Sequence, residues 1–178
     1  RPFDVAVELT DPALSFWDPE VLKELQQVEN YLENTYGAEI KNSLTQSLCI
    51  MNRASHGGSA AFFEIPTQKS VLKNFRRNLR RLEGGTYLRT ILDSTERFSR
   101  MHGNLADLGS AVIAKRNAAF ERYCKQLPLH GKVNYRITGA AHLLDRNIDF
   151  ISASLVEGLI FSVLLIALIM GMVYKSVR

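Results

Sequence analysis

Phe3-Asp4-Val5-Ala6-Val7-Glu8-Leu9 alternates apolar and polar side chains, the pattern of a half-buried strand. Thr10-Asp11-Pro12 ends it. Asp18-Pro19-Glu20 opens a helix, with Asp at the N-cap and Pro in the first turn. Val21, Leu25, Val28 and Leu32 then recur at helical spacing, and Gly37 stops the helix. Ile40, Leu44 and Leu48 predict a second strand and its exit over Ala38 to Leu48. Met51 to Pro66 is rich in breakers around His56-Gly57-Gly58-Ser59 and reads as a loop or flap.

Gln68 to Leu82 predicts a basic amphipathic helix. Leu72, Phe75, Leu79 and Leu82 form its apolar stripe, and Lys69, Lys73, Arg76, Arg77, Arg80 and Arg81 fill much of the rest. Gly84-Gly85 ends it, and Tyr87 to Leu92 is a short link. Thr95 to Leu105 predicts a third strand. Ser110 is placed to cap a helix running to about Leu127, with Ile113, Ala119, Phe120, Tyr123 and Leu127 inward, before Pro128 breaks it. Lys132 to Thr138 alternates again, with Val133, Tyr135 and Ile137 on one face, and stops at Gly139.

The last thirty residues carry a different pattern. From Gly158 to Tyr174 no position is charged, and the run is apolar on all sides. A bilayer core needs about 20 such residues in a helix, and a helix satisfies its own backbone in lipid. Leu155 to Tyr174 supplies that length, so a transmembrane helix is predicted there. The alternative is a buried hydrophobic helix of a soluble protein; the run's length and its apolar character on all sides rather than on one face favour the membrane. The predicted organisation is an α+β domain over 1–139, a connector over 140–152, a membrane helix over 153–175 and the start of a cytoplasmic loop at 176–178. The strand and helix order gives two βαβ-like halves, with the basic helix inserted between them. This predicts a ferredoxin-like split βαβ fold with a four-stranded antiparallel or mixed sheet.

Composition narrows the chemistry. The net charge of +4 over 178 residues is too small to require nucleic acid, and no aromatic platform interleaves the basic helix. The two cysteines, Cys49 and Cys124, have no zinc-ligand spacing; they read as small buried hydrophobes, or as a pair in an oxidising compartment. The four histidines, His56, His102, His130 and His142, are scattered. No HExxH, Gly-x-Ser-x-Gly, P-loop or GxGxxG is present, so neither a catalytic set, a metal nor a cofactor is expected.

Two features carry candidate functions. Glu157 is the ionisable residue of the apolar run, and intramembrane carboxylates mark transport pathways; its place in the first turn, after Ser152 and Ser154, also fits an interfacial position. The basic helix suits anionic lipid headgroups, acidic cargo or a partner subunit, or simply a solvated face above a packed stripe.

Three blocks, FDVAVELTDPALSFWDPEVLKELQQVENYL, RFSRMHGNLADLGS and YRITGAAHLLDRNIDFISASL, taken in order, resemble the first extracytoplasmic loop of resistance-nodulation-division (RND) superfamily exporters, of the hydrophobe- and lipid-exporting (MMPL-like) kind. The third block leads into an apolar helix ending in KSVR. The resemblance implies a porter-type domain on the periplasmic side of a bacterial inner membrane. Its partners would be the bilayer, the other transmembrane helices of a longer parent, a lipid-like substrate and other subunits. Proton flux through later helices would drive export. Both ends of the chain are expected to be cuts in that parent. The alternative is a single-pass anchored binding or sensor domain; an anchored enzyme has no catalytic constellation behind it.

Overall fold

The structure is a computed structural model and describes residues 1–81, 86–138 and 140–174. The chain divides into two compact units, Arg1–Ala141 and His142–Arg178. The first unit holds a four-stranded sheet of β1 (Pro2–Leu9), β2 (Ala38–Asn42), β3 (Phe98–Leu105) and β4 (Val133–Thr138) in the order β2-β3-β1-β4. Every neighbouring pair is antiparallel. Between the strands run α1 (Pro19–Tyr31), α2 (Leu44–Ser55), α3 (Lys69–Arg81), α4 (Thr86–Ile91) and α5 (Ser110–Cys124). The protein is thus of mixed α+β class, with α6 (Ala140–Tyr174) as its apolar C-terminal helix.

The alternation in β1 decides its faces. Phe3, Val5, Val7 and Leu9 are buried in one core with Val21, Leu22, Leu25 and Val28 of α1 and Ile113 and Phe120 of α5. Each large apolar side chain so buried stabilises the fold by about 1.5–3 kcal/mol. Tyr36 closes the core against Phe3 (ring centroids 5.1 Å) and Phe120 (6.3 Å), and its hydroxyl donates to Asn117 Oδ1 at 2.6 Å. The opposite sheet face is polar. There Asp4, 5 % exposed, accepts two bonds from Arg100 (2.9 and 2.8 Å) and lies 2.7 Å from His102 Nδ1.

Pro19 begins α1 behind an extended Asp18, as the capping pattern requires. The Asp18 carboxylate turns away from the helix and accepts from Ser15 N–H at 2.7 Å. A π-helical turn, Leu32–Tyr36, follows α1, and Gly37 ends it at φ 81°. A side chain at Gly37 would also meet the Arg116 guanidinium at 2.7 Å, which donates to the Tyr36 carbonyl.

The fold differs from the sequence-based elements at five places. β2 stops at Asn42, and the expected strand exit is the start of α2. Ser43 caps α2 by accepting from Gln46 N–H at 3.1 Å, so Leu44 and Leu48 are one helical turn apart on a buried face. Met51 to Pro66 is not a uniform loop: α2 continues to Ser55 and a 3₁₀ turn covers Ala60–Phe62. β3 begins at Phe98, because Asp93 folds 93–98 into a turn by accepting from Thr95, Arg97 and Phe98 N–H. At α5, Gly109 takes the N-cap position with φ 78° and Ser110 is the first helical residue; the helix ends at Cys124, short of Leu127. Finally, α6 is helical from Ala140, through the positions expected of a connector. Leu82, Gly84-Gly85, Gly139, Lys175 and Arg178 lie outside the described residues.

In the second unit, Ser154–Met172 is a 19-residue helical stretch long and apolar enough to cross a membrane. Its Leu, Ile, Val, Phe and Met side chains are exposed all round within the unit, unlike the one-sided burial of α1.

Candidate functional site

α3 is helical because its apolar positions fall on one side. At 3.6 residues per turn, Leu72, Phe75 and Leu79 occupy an arc of about 60°, and all three are buried. The six cations fall together on an arc of about 140° on the other side. They do not share one fate.

Arg76 and Arg80 converge on Glu96. Arg76 Nη2 donates to Glu96 Oε2 at 2.7 Å and Arg76 Nε to Oε1 at 3.3 Å; Arg80 Nη2 also donates to Oε1. Trp17 Nε1 donates to Oε2 at 3.0 Å, and the Arg76 guanidinium lies 5.7 Å from the centre of the Trp17 ring, within cation–π reach. Burial raises the Glu96 carboxyl, and the hydrogen bonds from Arg80, Trp17 and Arg76 more than offset it, leaving it below the ordinary glutamate value. The Glu96 backbone sits at φ 53°, a left-handed conformation that costs about 1 kcal/mol for a side chain of this kind. The Asp93 turn holds it there. Burial raises the Asp93 carboxyl too, but bonds from the Thr95 hydroxyl and from the Phe98, Thr95 and Arg97 N–H groups bring it down further.

Lys69, Lys73, Arg77 and Arg81 are exposed. Arg77 donates to Asn74 Oδ1 at 2.8 Å on its own helix. None of the four pairs with a carboxylate among the described residues. The sequence-predicted set therefore splits into a pair locked onto Trp17 and Glu96 and a quartet facing solvent. Glu96 was not legible as a partner. Its turn, Asp93-Ser94-Thr95-Glu96, is readable as a turn, but nothing local says which cations it meets.

Glu157 is exposed on α6, inside the membrane-competent stretch, and makes no ion pair among the described residues. One turn on, Ser162 Oγ donates to the Gly158 carbonyl at 2.8 Å.

Other titratable groups serve the fold. Glu24, 3 % exposed, accepts from Leu129 N–H at 2.7 Å and Tyr135 Oη–H at 3.0 Å; burial, followed by the Glu24 charge, pushes the Tyr135 hydroxyl far up. Glu29 of α1 accepts from the Thr45 hydroxyl at the first turn of α2. Its carboxyl rises to about 7, chiefly through burial, against the lowering effect of the Ser43 and Thr45 hydroxyls. Cys49 and Cys124 are free thiols. Burial, then nearby carboxylates, pushes them to about 11 and about 12, so neither is a ready thiolate. His56 stacks on Phe62 at 3.9 Å and His102 meets Asp4. Among the described residues no three His, Cys, Asp or Glu side chains are grouped to hold a metal ion. An open groove of about 640 Å³ lies between α1 and α5 beside the stacked Tyr31 and Tyr123 rings, 4.1 Å apart.

The fold and these groups define an α+β domain with a four-stranded antiparallel sheet and a helix fit to span a membrane. No family model, no curated protein and no solved structure matches the chain.

Proposed function

We propose that this chain is a porter-type domain of an RND-type exporter together with the transmembrane helix that follows it. The domain would lie on the extracytoplasmic side of a bacterial inner membrane. It would help form the export path for hydrophobic or amphiphilic substrates such as lipids. Proton flux through other helices of the parent would supply the drive, and this chain would do no bond chemistry.

The observation that carries the reading is the strand order followed by its exit. β1-α1-β2 and β3-α5-β4 are two strand–helix–strand units, and each has a strand of the other lying between its own two. That arrangement supports the ferredoxin-like split βαβ form. β4 then passes to a helix that contains a membrane-competent stretch. A split βαβ domain feeding a membrane helix fits a domain inserted between two membrane crossings. The basic helix belongs to the insertion between the halves, and its Leu72, Phe75 and Leu79 pack into the same core as the strands.

The test is the parent reading frame and its activity. The frame should encode many further apolar spans in two similar halves, each with a large domain after its first span. The purified parent in proteoliposomes should expel a lipophilic fluorescent probe when a proton gradient is imposed. A frame holding one apolar span beside a signalling domain would overturn the proposal.

A further inference from the structure

We propose that α3 docks this domain on an anionic lipid bilayer surface through Lys69, Lys73, Arg77 and Arg81, with Glu96 holding the helix in place behind them. The docking needs a membrane-anchored chain and does not need that chain to be a transporter.

The division of labour among the cations is the first support. One carboxylate, Glu96, engages two of the six cations and ties them to Trp17. That leaves a single ridge, Lys69, Lys73, Arg77 and Arg81, spaced four residues apart and exposed. Residues four apart on a helix are neighbours, and like charges there repel. A solvated helix face relieves this by interleaving acids. α3 has no acidic residue in its thirteen positions.

The helix ends supply the second support. Arg80 and Arg81 lie in the last turn, where cations complement the negative end of the helix. Lys69 opens the helix, where it opposes the positive end. Helix stability therefore explains the arginines of the last turn and not the lysine of the first. A layer of phosphates explains both, because it neutralises the whole ridge.

The third support is the surroundings. A membrane-competent helix on the same chain, once in a bilayer, tethers the domain and raises the effective concentration of headgroups available to it. Arginine pairs with phosphate in two-bond fashion, and lysine as a point charge. Bilayer binding of basic residues falls off within a Debye length, about 10 Å at 0.1 M salt, so the contact must be salt-sensitive.

The experiment uses the full chain in nanodiscs of phosphatidylcholine alone or with about one-third phosphatidylglycerol. Lysine acylation, read by mass spectrometry, reports each side chain. Labelling of Lys69 and Lys73 should slow several-fold in anionic discs only and recover at about 0.5 M salt. Lys23 on α1 and Lys115 on α5, both exposed, should label alike throughout. R77Q/R81Q keeps both reporter lysines and should lower the docked-to-free ratio about 25-fold, at roughly fivefold per charge. R77K/R81K should retain the protection, and unchanged Trp17 emission checks that each variant is folded. Equal labelling in the two discs overturns docking. So does equal slowing at Lys23 and Lys115, or slowing already present in phosphatidylcholine, which would assign the ridge to a protein contact.

Discussion

Glu29 makes the stability of this fold fall as pH rises, and Glu29→Gln should abolish that fall. The carboxyl is 6 % exposed, sits between α1 and the first turn of α2, and rises from 4.5 to about 7, mainly through burial. Below pH 4.5 it is protonated in both the folded and the unfolded chain. Between 4.5 and 7 the unfolded chain gives up the proton and the folded one keeps it. Stability therefore drops by about 1.4 kcal/mol per pH unit across that window and levels off above it. The total is about 3 kcal/mol. Gln keeps the acceptor oxygen for the Thr45 hydroxyl and has no charge to bury. The assay is urea unfolding of the full chain in a non-ionic detergent, followed by Trp17, the single tryptophan. The difference between the variant and the wild type should move by about 3 kcal/mol in favour of the variant from pH 4.5 to pH 8. At a slope of about 2 kcal/mol per molar that is about 1.5 M of urea. Because the difference is taken at each pH, other titrating groups cancel. A difference that stays flat, or moves the other way, refutes the reasoning.

Two further perturbations test the sheet and the α3 anchor. Gly103→Ala on β3 places a Cβ 2.2 Å from the Glu39 carbonyl oxygen and 2.9 Å from Ile40 Cα, beside the irregular register of β2 at Ile40 and Asn42. Backbone must move, so the midpoint of urea unfolding should fall by the equivalent of about 3 kcal/mol; an unchanged midpoint would show that β2 yields freely. Glu96→Gln leaves Trp17 an acceptor and removes the charge facing Arg76 and Arg80. With both arginines part-exposed, the loss should be about 1–2 kcal/mol at pH 7. The Glu96 contribution is present above the ordinary glutamate value and is lost as pH falls through the lower folded value. The gap between wild type and variant should accordingly narrow on acidification, and a gap that stays constant as pH falls until the fold is lost would refute the ion-pair account.

The local code reached some elements and not others. β1 and β4 were legible because strict alternation survives in both. α1 was legible from Asp18-Pro19 and Gly37, and α3 from its stripe of Leu72, Phe75 and Leu79. α2 was misread although its signals were present: Ser43 and Gln46 form a Ser-x-x-Gln capping pattern, and Leu44 and Leu48 sit at helical spacing. The bounds of α5 were off because Gly109, not Ser110, takes the N-cap. Of the candidate site, the cations were legible and their partners were not.

By itself the sequence determined what depends on neighbours within a turn or two: helical and extended periodicity, the punctuation by Pro and Gly, and an apolar stretch at Leu155 to Tyr174 long enough to cross a membrane. The tertiary structure decided what depends on residues far apart. Arg76 and Arg80 meet Glu96, 20 and 16 positions on, Asp4 meets Arg100 and His102 across the sheet, and Glu29 meets Thr45 across two elements. The reason is physical. A carboxylate and a guanidinium carry no local mark of each other, and burial, which sets the Glu29 proton affinity, exists only once the chain has closed around it.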